Sequence, residues 1–178
     1  MAGDGAEFEG AVMPALDALH SLSRRLTRGS GSAEELCQET LTRAWTAWVD
    51  GRRPDRVGPW LATICLNVAR DRARRPSREA PWPDELDPPA RTDVEAEAIA
   101  RVQRDLVDRA LAKLPYEQRL AITLMDVCGL TAAETAQVTG SPRGTVLARV
   151  HRGRKALARS LADRPDARTS EGNLGDER

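Results

Sequence analysis

The chain has 178 residues, and its 27 basic residues balance its 27 acidic ones, so the formal net charge is zero. This length allows one domain or two small ones, and few aromatic residues with much Arg and Ala favour an all-helical protein. Two isolated histidines, three widely separated cysteines and no Gly-rich phosphate loop exclude the common catalytic and metal sites. We therefore expect no enzyme, no cofactor and no metal.

The first elements in the chain are predicted from its apolar spacing. No signal peptide opens the sequence and no apolar run approaches about 18 residues, so we expect a cytoplasmic protein without membrane insertion. Residues 1–10 are predicted to be a flexible terminus. A first helix follows, ended by the glycines near residue 30. Its apolar side holds Val12, Leu16, Leu19, Leu22 and Leu26.

A second helix, predicted from Ser32, has an apolar side and an acidic side. The apolar side holds Leu36, Leu41, Ala44, Ala47 and Trp48. The polar side holds Glu35, Gln38, Glu39 and Thr42. Acid in the first turn suits the helix dipole, which accounts for Glu35 without any partner. Glu39 lies beyond that turn and is expected to need solvent or a cationic partner.

A third helix is predicted after a loop, 49–58, whose conformation the sequence leaves open. The loop holds three cations, Arg52, Arg53 and Arg56. The apolar side of the helix holds Trp60, Leu61, Ile64, Cys65 and Val68. Beside it runs a stripe of hydrogen-bond donors, Thr63, Asn67, Arg70 and Arg74. This stripe is either a solvated helix end, where Asp71 pairs with Arg74 or Arg75, or a face for nucleic acid, with asparagine on a base edge.

The next segment, 76–100, concentrates prolines and carboxylates and is predicted to be a flexible linker. Its Trp82 could anchor the linker on a neighbouring surface or be partly exposed without a role. Charge is segregated along the chain, since residues 101–164 hold 12 basic and 6 acidic residues while 81–100 hold 1 and 6. We expect two small helical domains, 11–75 and 101–162, joined by this acidic linker and followed by a flexible tail, 163–178.

Residues 129–159 carry the signals of a helix-turn-helix. Thr131 and Glu134 form a capping box that starts one helix, and Gly140 can end it in the left-handed conformation. Ser141 and Pro142 then supply the N-cap and first turn of the next helix. The packing side of that helix holds Val146, Val150, Gly153, Leu157 and Leu161. Its opposite, cationic side holds Thr145, Arg149, Arg152, Lys155 and Arg159.

This cationic side has two interpretations, a solvated helix surface or a DNA-reading face. Carboxylates are absent from residues 141–161, so the ion pairing typical of a solvated helix is missing. The second helix of a helix-turn-helix is also the one that enters the major groove. The pattern therefore favours DNA recognition. Gly144 would let the backbone approach phosphates, or would serve tight packing between the two helices.

Three segments resemble regions of bacterial extracytoplasmic-function (ECF) sigma factors, in the same order and spacing. AEELCQETLTRAWTAW (33–48) is similar to the region that binds the clamp helices of core RNA polymerase. PWLATICLNVARDRARR (59–75) resembles the region that recognises and melts the promoter −10 element. LPYEQRLAITLMDVCGLTAAETAQVTGSPRGTVLARVHRGRKAL (114–157) is similar to the domain that reads the −35 element. A short linker replaces an intervening domain, which indicates the ECF subgroup.

The resemblance implies partners and a role for each predicted face. Core polymerase, through its clamp helices, would meet Glu35, Gln38 and Glu39. Asn67 would hold a flipped-out −10 base, with the rest of the −10 face formed by Thr63, Arg70 and Arg74. The −35 face would be formed by Arg143, Thr145, Arg149, Arg152 and Lys155. Further implied partners are the polymerase flap, promoter DNA and an anti-sigma factor that covers these surfaces.

Two departures and one alternative stay open. Leu147 and Ala148 stand where many relatives carry a cation and then serine, so the −35 preference is undetermined. Trp60 lies on the apolar stripe and is expected in the core, not as a base-stacking platform. The alternative is a stand-alone helix-turn-helix regulator that dimerises and binds a palindromic duplex alone. The Asn67 stripe has no obvious use in such a repressor, which favours the sigma factor.

Overall fold

A computed structural model of the chain describes residues 2–27, 32–74 and 106–162, and every regular element in these residues is helical. The all-helical prediction is confirmed. The N-terminal elements are α1 (Ala2–Val12), a 3-10 turn (Met13–Ala15), α2 (Leu16–Leu26), α3 (Ser32–Val49) and α4 (Val57–Arg74). The C-terminal elements are α5 (106–112), α6 (Tyr116–Ile122) with a π turn (Thr123–Val127), α7 (Ala132–Thr139) and α8 (Arg143–Ala162). The predicted linker with Trp82, and the predicted tail, lie outside the described residues.

The start of the chain differs from the expected flexible terminus, because residues 2–12 form α1. Glycines at positions 3, 5 and 10 lower the intrinsic helix propensity of this segment. Packing compensates for them, since the Phe8 ring lies edge-on 5.2 Å from the Trp45 ring and 5.5 Å from the Trp48 ring. Aromatic pairs of this kind bury a large apolar area. Tertiary contact, not local propensity, therefore explains α1.

The predicted first helix is broken in two at Pro14. Proline has no N–H to donate and its ring clashes with the preceding turn, so α1 ends at Val12 and a 3-10 turn precedes α2. Val12 is nevertheless buried in the same cluster as Leu19 and Leu22. The apolar side predicted from the spacing thus exists as one surface, although two helices supply it.

The core of the N-terminal segment lies among α2, α3 and α4. Its fully buried side chains include Leu22, Leu36, Leu61, Leu66 and Val68. Burial of each such side chain contributes about 1.5–3 kcal/mol, so this cluster dominates the stability of the segment. Trp60 packs partly buried against it, 6.4 Å from the Trp48 ring, which agrees with the expectation of a core role.

The C-terminal helices have a smaller core, organised around the approach of α8 to α6. Gly153 is buried on α8, and a Cβ atom there would lie 2.5 Å from Cδ1 of Ile122, so only glycine fits without a shift. The π turn after α6 was not anticipated from the sequence. The hydrogen bond that defines a π turn is present, because the Cys128 N–H donates to the Thr123 carbonyl, five residues back, at 2.9 Å.

The two segments pack against each other and share one hydrophobic cluster. Leu130 and Val138, from the helix-turn-helix, are buried in the same cluster as Leu61 of α4. Ion pairs also join the segments. Arg25 and Asp108 lie 2.9 Å apart, and Arg56 of the loop before α4 pairs with Glu134 of α7. The helix-turn-helix thus sits directly beside the first turns of α4 and the loop before it.

Candidate functional site

The helix-turn-helix forms as its sequence signals predict. The Thr131 hydroxyl accepts from the Glu134 N–H at 3.2 Å, and the Glu134 carboxylate accepts from the Thr131 N–H at 2.8 Å, which completes the capping box. The hydrogen bond from the Thr131 backbone N–H lowers the pKa of Glu134, and the Thr131 hydroxyl and the Arg56 charge lower it further, against burial, which raises it. Gly140 ends α7 at φ +67°, in the left-handed region that favours glycine.

Helix α8 begins at Arg143 and presents the predicted packing side. The Val146 N–H donates to the Pro142 carbonyl at 3.1 Å, so Pro142 is the N-cap residue and the predicted N-cap at Ser141 is wrong by one residue. The Ser141 hydroxyl accepts from Arg149 instead of capping the helix. Val146, Val150 and Gly153 are buried. Leu161, expected on the same side, is 42% exposed in the last turn. Gly144 is exposed with open space where a Cβ atom would stand, so tight helix packing is not its role.

The cationic side of α8 separates into free and paired residues. Arg143, Arg152 and Lys155 are exposed and have no side-chain partner among the described residues. Thr145 is partly buried beside them. Arg149 is different, because its guanidinium donates to the Ser141 hydroxyl at 2.8 Å and lies 2.9 Å from the Glu117 carboxylate.

Carboxylates from α6 and the π turn therefore supply some of the ion pairing that the α8 sequence lacks. Arg154 likewise lies 2.5 Å from Asp126, and that hydrogen bond and charge raise the pKa of the Arg154 guanidinium. The sequence of α8 alone could not reveal these pairs, because Glu117 and Asp126 belong to other helices. The cations that stay unpaired in the described residues, Arg143, Arg152 and Lys155, remain free to meet an anion.

The predicted donor stripe on α4 is largely open to solvent. Asn67, Arg70 and Arg74 are exposed, whereas the partly buried Thr63 hydroxyl donates to the Pro59 carbonyl at 2.9 Å, within its own helix. Burial raises the pKa of Tyr116 on α6, and the nearby positive charge of Arg70 opposes that shift. The stripe thus presents one amide and two guanidinium groups beside the C-terminal segment.

The expected pairing of Asp71 with Arg74 or Arg75 is wrong for Arg74, and Arg75 lies outside the described residues. Asp71 instead lies 3.1 Å from Arg43 on α3. Helices α3 and α4 pack side by side, so a cross-helix partner is closer than the one a turn further along α4. Arg74 therefore keeps its charge available on the stripe.

The acidic side of α3 has intramolecular partners that the sequence analysis missed. The Glu39 carboxylate lies 2.7 Å from Arg43 and 2.8 Å from Arg72, and Arg72 also reaches Glu35 at 3.5 Å. Burial would raise the pKa of Glu39, but the hydrogen bonds and charges of Arg72 and Arg43 outweigh it and lower the pKa. The i to i+4 spacing of Glu39 and Arg43 was a readable signal, whereas the Arg72 contact joins two helices.

Gln38 is exposed on this side, and Glu35 is 69% exposed with only one long contact. These two residues, and not the ion-paired Glu39, present the most accessible polar groups to a partner. The face therefore combines an internal ion network with an exposed rim.

The cysteines behave as packing residues. Cys65 is buried, Cys37 and Cys128 are partly buried, and all three are free. Burial raises the pKa of each thiol, that of Cys128 to about 11. The described residues contain no group of three or more possible metal ligands. None of the helices described here has the length and hydropathy needed to cross a membrane.

Comparisons with known proteins identify the family. "Sigma-70 region 2" matches residues 12–79, and "Sigma-70, region 4" matches residues 104–157. The ECF RNA polymerase sigma factor SigM of Mycobacterium tuberculosis is 33% identical over 162 residues, covering 90% of this chain and 80% of SigM. The chain belongs to the ECF sigma factors. It is also 36% identical to SigE of Mycolicibacterium smegmatis over 152 residues, 82% of this chain and 58% of SigE.

Solved structures agree with this assignment. The sigma factor RpoE of Bartonella quintana, in a co-crystal structure with the anti-sigma factor NepR, is 26% identical, with a TM-score of 0.66 over 89% of this chain and 99% of that one. CnrH, in a complex with the cytosolic domain of CnrY, is 27% identical, with a TM-score of 0.65 over 92% of this chain and 93% of that one.

This sigma factor therefore directs promoter-specific initiation of transcription by RNA polymerase. Sigma factors act as regulators of the polymerase, and the stand-alone regulator considered from the sequence is not favoured.

Proposed function

We propose that this sigma factor divides promoter recognition between residues 11–75, which bind core polymerase and open the −10 element, and residues 101–162, which read the −35 element. The linker, 76–100, would tether the two parts. The observation that carries the proposal is the exposed Asn67, which lies on α4 between the hydroxyl of Thr63 and the guanidinium groups of Arg70 and Arg74, both exposed and without an ion pair in the described part of the chain.

At the −10 element, Asn67 is proposed to hold one base that has left the duplex stack. An amide offers both a donor and acceptors, so it can satisfy the edge of a single base. Extruding a base costs a few kcal/mol of unstacking, which contacts in the pocket must offset. Arg70 and Arg74 lie three and seven residues further along α4, and their cations suit the backbone phosphates on either side.

At the −35 element, α8 is proposed to lie in the major groove with its N-terminal half toward the bases. Arg143, Arg152 and Lys155 are exposed and unpaired in the described residues, which suits contacts to phosphate or base edges. Arg149 is tied to Ser141 and Glu117, so we assign it a base contact whose orientation those two residues prepare. Thr145 completes the face.

Core polymerase is proposed to bind the acidic side of α3, with Glu35, Gln38 and Glu39, through its clamp helices, and the −35 segment through its flap. The exposed Glu35 and Gln38 would make the direct contacts, while the ion network of Glu39 would hold α3 and α4 in register. An anti-sigma factor is a further proposed partner, since the structure of the similar RpoE contains one. These partners imply a cytoplasmic protein.

The experiment is permanganate footprinting of open complexes made with core polymerase and either the wild type or Asn67→Ala. Because Asn67 is exposed, the variant should fold normally and bind promoter DNA at first contact. We expect reduced thymine reactivity in the melted region with little change in the closed complex. Unchanged reactivity would refute the role of Asn67. The matched control is His20→Ala, an exposed residue of α2 outside every proposed contact face, which should leave the footprint unchanged.

A further inference from the structure

The loop between α3 and α4 is held by a side chain that no role above uses. Arg53 lies in this loop, and its guanidinium donates to the carbonyl oxygen of Trp48 in the last turn of α3. The central carbon of that guanidinium also stands 4.2 Å from the centroid of the Trp48 ring. Arg53 thus bonds to the end of α3 and stacks on its last buried aromatic residue.

The same guanidinium reaches the N-terminal helix. It lies 3.3 Å from the Asp4 carboxylate and 3.7 Å from the Glu7 carboxylate, both on α1. Helix α1 is itself fixed to α3, because Phe8 packs against Trp45 and Trp48. Arg53 therefore joins the loop to two helices that are already packed together.

The position of this contact suits its chemistry. The last carbonyl groups of a helix have no intrahelical partner and carry partial negative charge, so a cation there is stabilising. Backbone bonds hold only the start of the loop: the N–H groups of Asp50, Gly51 and Arg52 donate back into α3 at 2.9–3.0 Å. Gly51, at φ +90°, makes that reversal possible. Arg53 extends the anchorage into the middle of the loop.

We propose that Arg53 is a positioning residue for the −10 site: by anchoring the loop 50–56 to Trp48 and α1, it sets the loop conformation that selects the base held beside Asn67. The inference rests on the proposed function of the α4 stripe. The loop ends where α4 begins, at Val57, six residues before Thr63 at the start of the stripe, so its path decides which groups can lie beside that end of the stripe. Helix α1 thereby becomes part of the promoter-reading unit.

Arg52 provides a matched control within the same loop. It carries the same charge and is exposed, but its side chain has no partner among the described residues. If arginines in this loop acted only through contacts to DNA phosphates, Arg52→Gln and Arg53→Gln would have similar effects. If Arg53 acts through the loop, only its own replacement changes base selection.

The first measurement is hydrogen exchange at the Asp50, Gly51 and Arg52 N–H groups, which form the backbone bonds of the loop, in the free full-length chain. Arg53→Gln should speed exchange there by about fivefold or more, the effect of losing about 1 kcal/mol of local protection. Arg53→Lys keeps the positive charge and the aliphatic part of the side chain but not the planar guanidinium group, so it should have an intermediate effect. This variant replaces Arg53→Gln in the test if the glutamine variant unfolds. Arg52→Gln should exchange like the wild type.

The second measurement is run-off transcription with core polymerase on a promoter set carrying every base at each −10 position. With Arg53→Gln, the preference for the favoured base over the other bases at one −10 position should fall by about fivefold or more. This factor is the lower end of the discrimination that one good contact to a base provides. Arg52→Gln should leave the ranking of the templates unchanged.

The outcomes are distinguishable. An unchanged base profile in Arg53→Gln and Arg53→Lys, or the same altered profile in Arg52→Gln, overturns the positioning role while the proposed function stands. A wild type without any −10 preference would count against the proposed function, and the positioning role would fall with it.

Discussion

Replacing Glu39 by glutamine tests the ion network between α3 and α4. The change keeps the shape of the side chain and removes the charge that Arg43 and Arg72 contact at 2.7 and 2.8 Å. Neither guanidinium is orphaned, because Arg43 retains Asp71 at 3.1 Å and Arg72 retains Glu35 at 3.5 Å. The expected loss is therefore that of two partly exposed ion pairs and not that of an isolated buried charge.

The magnitude follows from exposure. The Glu39 side chain is 29% exposed and Arg43 is 38% exposed, so each pair contributes no more than about 1 kcal/mol after solvent screening. The two together give a loss of about 1–2 kcal/mol in the free energy of unfolding. For a chain of this size, each kcal/mol lowers the melting temperature by about 2–4 °C.

The pH dependence has a definite sign. The folded-state pKa of Glu39 is lowered from its ordinary value of 4.5, so its contribution is fully present above that pH. It is lost as the pH falls through the lower folded-state pKa, because the carboxylate then becomes protonated in both states. The stability difference between the wild type and Glu39→Gln should therefore shrink as the pH falls below 4.5.

Thermal and urea unfolding followed by circular dichroism measures this loss at neutral and acidic pH. The matched control is Glu35→Gln, the same chemical change on the same helix at a side chain that is 69% exposed, which should cost less than about 0.5 kcal/mol. Equal stability of Glu39→Gln and the wild type at neutral pH would refute the network. A difference that persists unchanged in acid would show that charge is not its cause.

Three further predictions concern the helix-turn-helix. Arg149→Ala should weaken binding to a matched −35 duplex by about 1–3 kcal/mol, and equal losses on a scrambled duplex would make the residue a phosphate contact. Gly153→Ala should gain about 1 kcal/mol of stability from helix propensity but lose about 1–3 kcal/mol through the clash of the new Cβ atom with Ile122. Ile122→Val should destabilise the wild type but be neutral or stabilising in the Gly153→Ala background. If urea unfolding shows that the effects of the two substitutions simply add, the clash is contradicted. Thr131→Ala should cost about 1 kcal/mol in the same assay and Thr131→Ser much less; equal losses would argue against the cap.

The elements that the sequence predicted best are those set by local rules. The boundaries of α7 follow from Thr131, Glu134 and Gly140, whose effects act within one turn of the chain. The break at Pro14 was equally local and was missed because the apolar spacing continues through it. Helix α1 was not predictable in this way, since its glycines oppose it and Phe8 finds its partners on α3.

The residues of the candidate site likewise divide into those predictable from one helix and those that depend on packing between helices. Exposure of Asn67 and Arg74 followed from their place on one helix face. The contacts of Glu39 with Arg72, and of Arg149 with Glu117, each span about thirty residues of sequence and depend on how two helices pack side by side. Periodicity describes one helix at a time, so it could not show which cations of α8 were already paired. The choice among those cations required the structure.

The central claim is that this chain reads two unlike promoter elements only as part of the polymerase. The most direct measurement is footprinting of a promoter, selected by run-off transcription, with the chain alone, with core polymerase alone and with both. The account predicts protection of both elements only when both proteins are present, and loss of it when either element is scrambled. Equally strong protection by the chain alone, on a palindromic duplex with half-sites about one turn apart, would contradict it.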